Sequence, residues 1–175
     1  MAEFRLVLQL ALGIVFLLSV AGKLQDRGHF AGGLAAYRIL PRSWANPASL
    51  LVIALESFLA VAHLTGYLLR IALPVGLGLL ASFTVAVGVN LKRGRALPCY
   101  CFGRSGDTIS GATLARLVLM ASGEAFLLKA TRPIYTPQVA VSDLVVALFW
   151  AMVVLVIGLW LFALSDLGRL LRPVE

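Results

Sequence analysis

Charge is scarce in this chain. Only 13% of its 175 residues are charged, eight acidic and fifteen basic, against the quarter or so usual in soluble domains. Two cysteines and two histidines complete a thin inventory of reactive side chains. No zinc-ligand spacing, Walker motif or Rossmann glycine pattern occurs, which excludes the common metal-finger and nucleotide-binding modules. Low-complexity segments and clear internal repeats are also missing, which argues against linkers and solenoids.

What is present is apolar. Hydrophobic residues make up 61% of the chain and the mean hydropathy is +0.96. An ordinary soluble globule is excluded, and an all-α integral membrane protein is expected, with the lipid bilayer as its first partner. The net charge of +7 would suggest nucleic acid in a soluble protein. Here the basic residues collect in breaks between apolar runs, where they fix topology against anionic headgroups, so no nucleic-acid partner is expected.

A spanning helix needs about 20 mainly apolar residues. Residues 4–23 supply the first; this run is too long for a signal-peptide core and no A-x-A-like cleavage site follows, so a retained helix is expected. Residues 28–44 are mixed, with Phe30, Leu34, Tyr37 and Leu40 at spacings of three and four. They predict a short amphipathic interfacial helix ended by Pro41, with Trp44 in the headgroup belt. Further spans are expected at about 47–65, 68–91 and 111–130, and a fifth at about 139–165. A polar break at 92–110 separates the third from the fourth.

That break holds both cysteines, in Cys99-Tyr100-Cys101-Phe102-Gly103 after Pro98. Two thiols one residue apart can close a small disulfide, open it by exchange, or ligate a soft metal together. Lys92, Arg93, Arg95 and Arg104 lie close in sequence, and positive charge favours the reactive thiolate. Chance adjacency of two inert cysteines is the plain alternative.

Ionisable residues within spans are costly and are usually paired or functional. Glu56 and Arg116 lie roughly 8–14 Å deep from the cysteine side at 1.5 Å per residue, so an ion pair between them is expected. Lys23 and Asn90 end the first and third spans on that side. These four residues either tune the site beneath Cys99 and Cys101 or act as structural staples, Lys23 by snorkelling to the headgroups. Nearer the opposite face, His63 and Glu124 are at similar depth and are expected to pair as a polar contact. His29 reads as a solvated interfacial residue, and Met120 and Met152 as packing.

The segment Asn90-Leu91-Lys92-Arg93-Gly94-Arg95, followed by Cys99-Tyr100-Cys101-Phe102-Gly103, resembles the MauE family of methylamine-utilisation membrane proteins. Ala21-Gly22-Lys23-Leu24, the stretch from Ala35 to Pro41, Leu55-Glu56 and Ala115-Arg116 also look like that family. Tyr100 stands where the family often has glycine. The resemblance implies a DoxX/MauE-like four-helix transmembrane bundle over 1–130, with the fifth span added C-terminally. It also implies a thiol–disulfide oxidoreductase whose Cys99–Cys101 pair works with a thioredoxin-like or secreted protein partner. Quinone as electron acceptor follows by analogy with other disulfide-forming membrane enzymes. A soft-metal carrier and a non-catalytic membrane anchor for a maturation complex are the alternatives.

The bacterial cytoplasmic membrane is the expected location, but sidedness is contested. Ten basic residues in connections fall on the cysteine side against four opposite, which predicts a cytoplasmic cysteine loop. Disulfide chemistry belongs outside the cytoplasm, and the resemblance tips the expectation toward an extracytoplasmic face.

Overall fold

The computed structural model describes residues 2–95, 97, 108–130 and 145–153. The regular elements are α1 (Ala2–Gln25), α2 (Arg27–Ala36), a 3-10 turn (Arg42–Trp44), α3 (Ala45–Thr65), α4 (Leu69–Lys92) and α5 (Gly111–Ala130). Four helical segments are long and apolar enough to cross a membrane: Phe4–Gln25, Arg42–Thr65, Leu69–Lys92 and Gly111–Ala130. They coincide with the first four expected spans to within a few residues.

Spacing of the buried residues explains why these helices pack together. In α3 the buried stripe runs through Ser49, Ile53, Glu56, Ala60 and His63, alternating steps of four and three. In α5 it runs through Thr113, Leu117, Glu124 and Leu127. That alternation holds one face of a helix against its neighbours along its whole length. The opposite faces carry exposed Leu17, Leu51, Val61, Val85 and Leu119, as lipid-facing surfaces do.

The helices run up and down in turn, with α1 against α3, α3 against α4, α4 against α5 and α5 back against α1. Helices α3 and α5 are therefore diagonal. The register of α1 on α3 is antiparallel: Gln9 Nε2 donates to His63 O at 2.7 Å, while Lys23 reaches Glu56. At the same end as Gln9, Arg5 Nη1 donates to Ala130 O, capping α5 across the bundle. The turn between α3 and α4 is tight, with Gly66 at φ +72° ending α3 in the left-handed conformation that glycine adopts freely.

Helix α2 departs from the interfacial helix expected at 28–44. Asp26 caps it, its Oδ1 accepting from His29 N at 3.0 Å, and it stops at Ala36, well before Pro41. The chain turns at Arg38, whose φ is +50°. Phe30 packs with Val20 and Ile53, so α2 is docked into the end of the bundle rather than lying free on the headgroups. His29 is exposed as expected, and so is Trp44 in the 3-10 turn.

Of the expected fifth span, residues 145–153 are helical. Ala147 and Ala151 are buried with Leu10 and Ala11 of α1, and the remainder of 139–165 lies outside the described residues. The same holds for Cys99 and Cys101.

Contact between α1 and α3 is closest at Gly13, where an added Cβ would meet His63 Cβ and Leu64 Cγ, each at 3.0 Å. Small residues let membrane helices approach in this way. Gly13→Leu should lower the thermal unfolding midpoint in detergent, whereas Gly78→Ala, which meets nothing within 4 Å, should leave it unchanged or raise it. Equal midpoints for the two variants would disprove the close approach.

Candidate functional site

The buried stripes carry the polar residues. Lys23 is 1% exposed and Glu56 2%. The lysine Nζ lies 2.7 Å from both Glu56 carboxylate oxygens. Ser19, one turn before Lys23, donates its hydroxyl to Glu56 Oε2 at 3.1 Å and accepts from the ammonium. Phe30 of α2 and Phe83 of α4 place their rings 5.2 and 5.9 Å from Nζ, close enough for cation–π attraction. One cation thus ties four helices together, and lipid is excluded from it on every side.

This changes two expectations. Glu56 is paired with Lys23, not with Arg116; among the described residues this is the ion pair that Glu56 makes. Lys23 does not snorkel outward either. Its long side chain turns inward because a carboxylate stands opposite it on α3, and neutralising two charges internally outweighs reaching the headgroups. Arg116 is half-buried on α5.

The expected His63–Glu124 contact is present and fully buried, both side chains being 0% exposed. His63 Nε2 lies 3.3 Å from Glu124 Oε2 and 3.2 Å from Oε1. Its Nδ1 faces Leu59 O at 2.8 Å. A ring held between a carboxylate and a main-chain carbonyl has an acceptor at each nitrogen. The contact spans the diagonal from α3 to α5, and Gly76 of α4 makes room for it. A Cβ at position 76 would stand 2.8 Å from Glu124 Oε1.

Asn90 is also buried, 0% exposed near the C-terminus of α4. Its Nδ2 donates to Ala86 O at 3.0 Å, while Oδ1 has no hydrogen-bond partner among the described residues. A buried carbonyl left without a donor costs about 1–3 kcal/mol.

The ends of that loop are fixed. Ile109 N donates to Leu97 O at 2.7 Å, and Ile109 and Leu97 join the core cluster with Tyr37 and Leu91. Segment 98–107 therefore leaves and returns at one point, on the end of the bundle that carries α2 and the Lys23–Glu56 pair. Of the expected site residues, Lys23 and Glu56 are brought into contact. Asn90 and Arg116 stand on the two helices flanking the loop, and Cys99 and Cys101 fall outside the described residues. Ser19, Phe30 and Phe83 were not anticipated. The four-residue step from Ser19 to Lys23 is the available signal for the first; the aromatic contacts carry none, since they depend on how α2 and α4 pack against α1.

These features define the class: a multi-pass helical membrane protein whose four spans are cross-linked by buried polar side chains. The family model described as "Methylamine utilisation protein MauE" matches residues 1–130. The chain belongs to that family, and a membrane role in methylamine utilisation is what membership suggests. No curated protein and no solved structure matches the chain.

Removing one partner of a buried ion pair typically costs about 3–5 kcal/mol because the other charge is stranded. Glu56→Leu and Lys23→Met should each lower stability by that order, and the double variant should regain most of the loss. Thermal unfolding in detergent reads all three. A double variant no more stable than the singles would mean that the two residues are not energetically coupled.

Proposed function

We propose that this MauE-family chain is a membrane thiol–disulfide oxidoreductase with Cys99 and Cys101 as the redox pair. The observation that carries the reading is that both cysteines of the chain stand one residue apart, in a connection whose flanking residues Leu97 and Ile109 are hydrogen-bonded to each other at the bundle end. A partner dithiol attacks the Cys99–Cys101 disulfide through a thiolate, giving a mixed disulfide. Resolution then leaves the partner oxidised and both cysteines as thiols, a transfer of two electrons and two protons. An acceptor outside the chain reoxidises the pair: a membrane quinone, or a second thiol protein of the thioredoxin type. The substrate is a secreted protein matured in methylamine utilisation, and the loop then faces the extracytoplasmic side.

In this scheme the four polar residues divide their roles. Lys23 and Glu56 neutralise each other and brace α1 against α3, so they position the bundle end instead of charging it. Asn90 and Arg116, on the helices that carry the loop, are the groups placed to bias the thiols. Exposed Lys92 and Arg93 and half-buried Arg95 add a positive field that favours thiolate.

Cys99→Ser and Cys101→Ser should each abolish maturation of the partner while leaving the protein in the membrane at normal abundance. Full maturation with either variant would reduce the chain to a membrane anchor. Labelling intact cells with a membrane-impermeant maleimide should modify the pair only after an impermeant reductant. Labelling confined to lysed cells would put the loop in the cytoplasm and remove extracytoplasmic disulfide formation.

A further inference from the structure

The end of the bundle that carries the loop also holds a pocket of about 520 Å³, within the range of about 300–1,000 Å³ common for small-ligand sites. Its floor is the small-residue face of α2, Gly32, Ala35 and Ala36, and its rim carries Arg38, Arg42 and Arg95. No carboxylate lines it among the described residues, and neither described ion pair involves these arginines. Three guanidinium groups from three separate elements around one concavity repel each other unless an anion joins them. Their planar forks suit phosphate oxygens.

Two further observations select the anion. Arg38 holds φ +50°, a conformation unfavourable for a residue with a side chain, in the turn that brings the chain from α2 past the pocket. Such strain persists where the surroundings require it. Beside the arginines, Ile39, Leu40 and Trp44 are 49%, 42% and 62% exposed. Ile39 and Leu40 lie just before the span that begins at Arg42, and Trp44 lies in its first turn, at the level where tryptophan marks the membrane–water boundary. A free phosphate would use the arginines alone. A phospholipid would use both, with its phosphate in the pocket and its acyl chains along the apolar rim.

We infer that this pocket is a binding site for the phosphate headgroup of an anionic phospholipid. Lipid binding here does not require the thiol chemistry proposed above, although the two share Arg95, and Arg95 and Leu97 on the pocket wall lead directly into the cysteine loop. Lipid occupancy would therefore steady the base of that loop.

The test is native mass spectrometry of the full chain in detergent, titrated separately with phosphatidylglycerol and phosphatidylcholine. The wild type should retain phosphatidylglycerol in preference to phosphatidylcholine. Arg38→Gln/Arg42→Gln should weaken that binding about tenfold or more, since each interfacial arginine contributes on the order of 1 kcal/mol toward anionic lipid. Arg70→Gln, exposed at the opposite end, should change nothing, and all proteins should share the wild-type thermal midpoint without lipid. No preference between the two lipids, or full retention by the double variant, would overturn the assignment. So would displacement by inorganic phosphate at concentrations equal to the lipid, which would make the site one for free phosphate.

Discussion

A charge surrounded by hydrocarbon must find its opposite within the protein, and that constraint organises this bundle. Lys23 cannot be solvated where it lies, so α1 is held to α3 at the one register that places Glu56 against it. Phe30 and Phe83 complete the enclosure and draw α2 and α4 into the same contact. At the other end, Glu124 finds His63 across the diagonal, which is open because α4 offers Gly76 there. Apolar packing alone specifies helix order weakly in lipid, where tails are as greasy as leucine. The two pairs supply that specificity.

Much of the architecture was legible because length and apolarity decide what can span a membrane. The four spans and the pairing of His63 with Glu124 could be read from depth alone. The partner of Glu56 could not. Depth from the cysteine side admitted Arg116, and it missed Lys23 because a lysine at the end of a span usually reaches for headgroups. Choosing between them requires knowing which helices are neighbours, and α1 flanks α3 whereas α5 lies diagonally across from it. Helix α2 was misplaced for a related reason. Its apolar spacing suits a membrane surface and a bundle end equally, and Phe30 is drawn inward by a cation contributed from another helix.

The candidate site divides in the same way. Cys99 and Cys101 stand out by scarcity, a property of sequence that needs no coordinates. The pocket of Arg38, Arg42 and Arg95 was invisible as a unit, because basic residues in two different connections read as topology signals. One end of the bundle thus gathers a hydrogen-bonded loop base, a buried amide oxygen at Asn90 without a partner among the described residues and a cationic concavity. The opposite end carries the tight α3–α4 turn and the Arg5 cap on α5. The asymmetry separates a face suited to contact with other molecules from one that closes the bundle.

Sequence distance between buried polar partners also sets an order of assembly. Lys23 and Glu56 are 33 residues apart and lie on the first two spans to be synthesised, so they can neutralise each other as a hairpin before the rest of the chain exists. His63 and Glu124 are 61 residues apart, and the histidine waits in the membrane until the fourth span arrives. The later contact is therefore a latch by position: it can form only when α5 is in place with its glutamate beside Gly76.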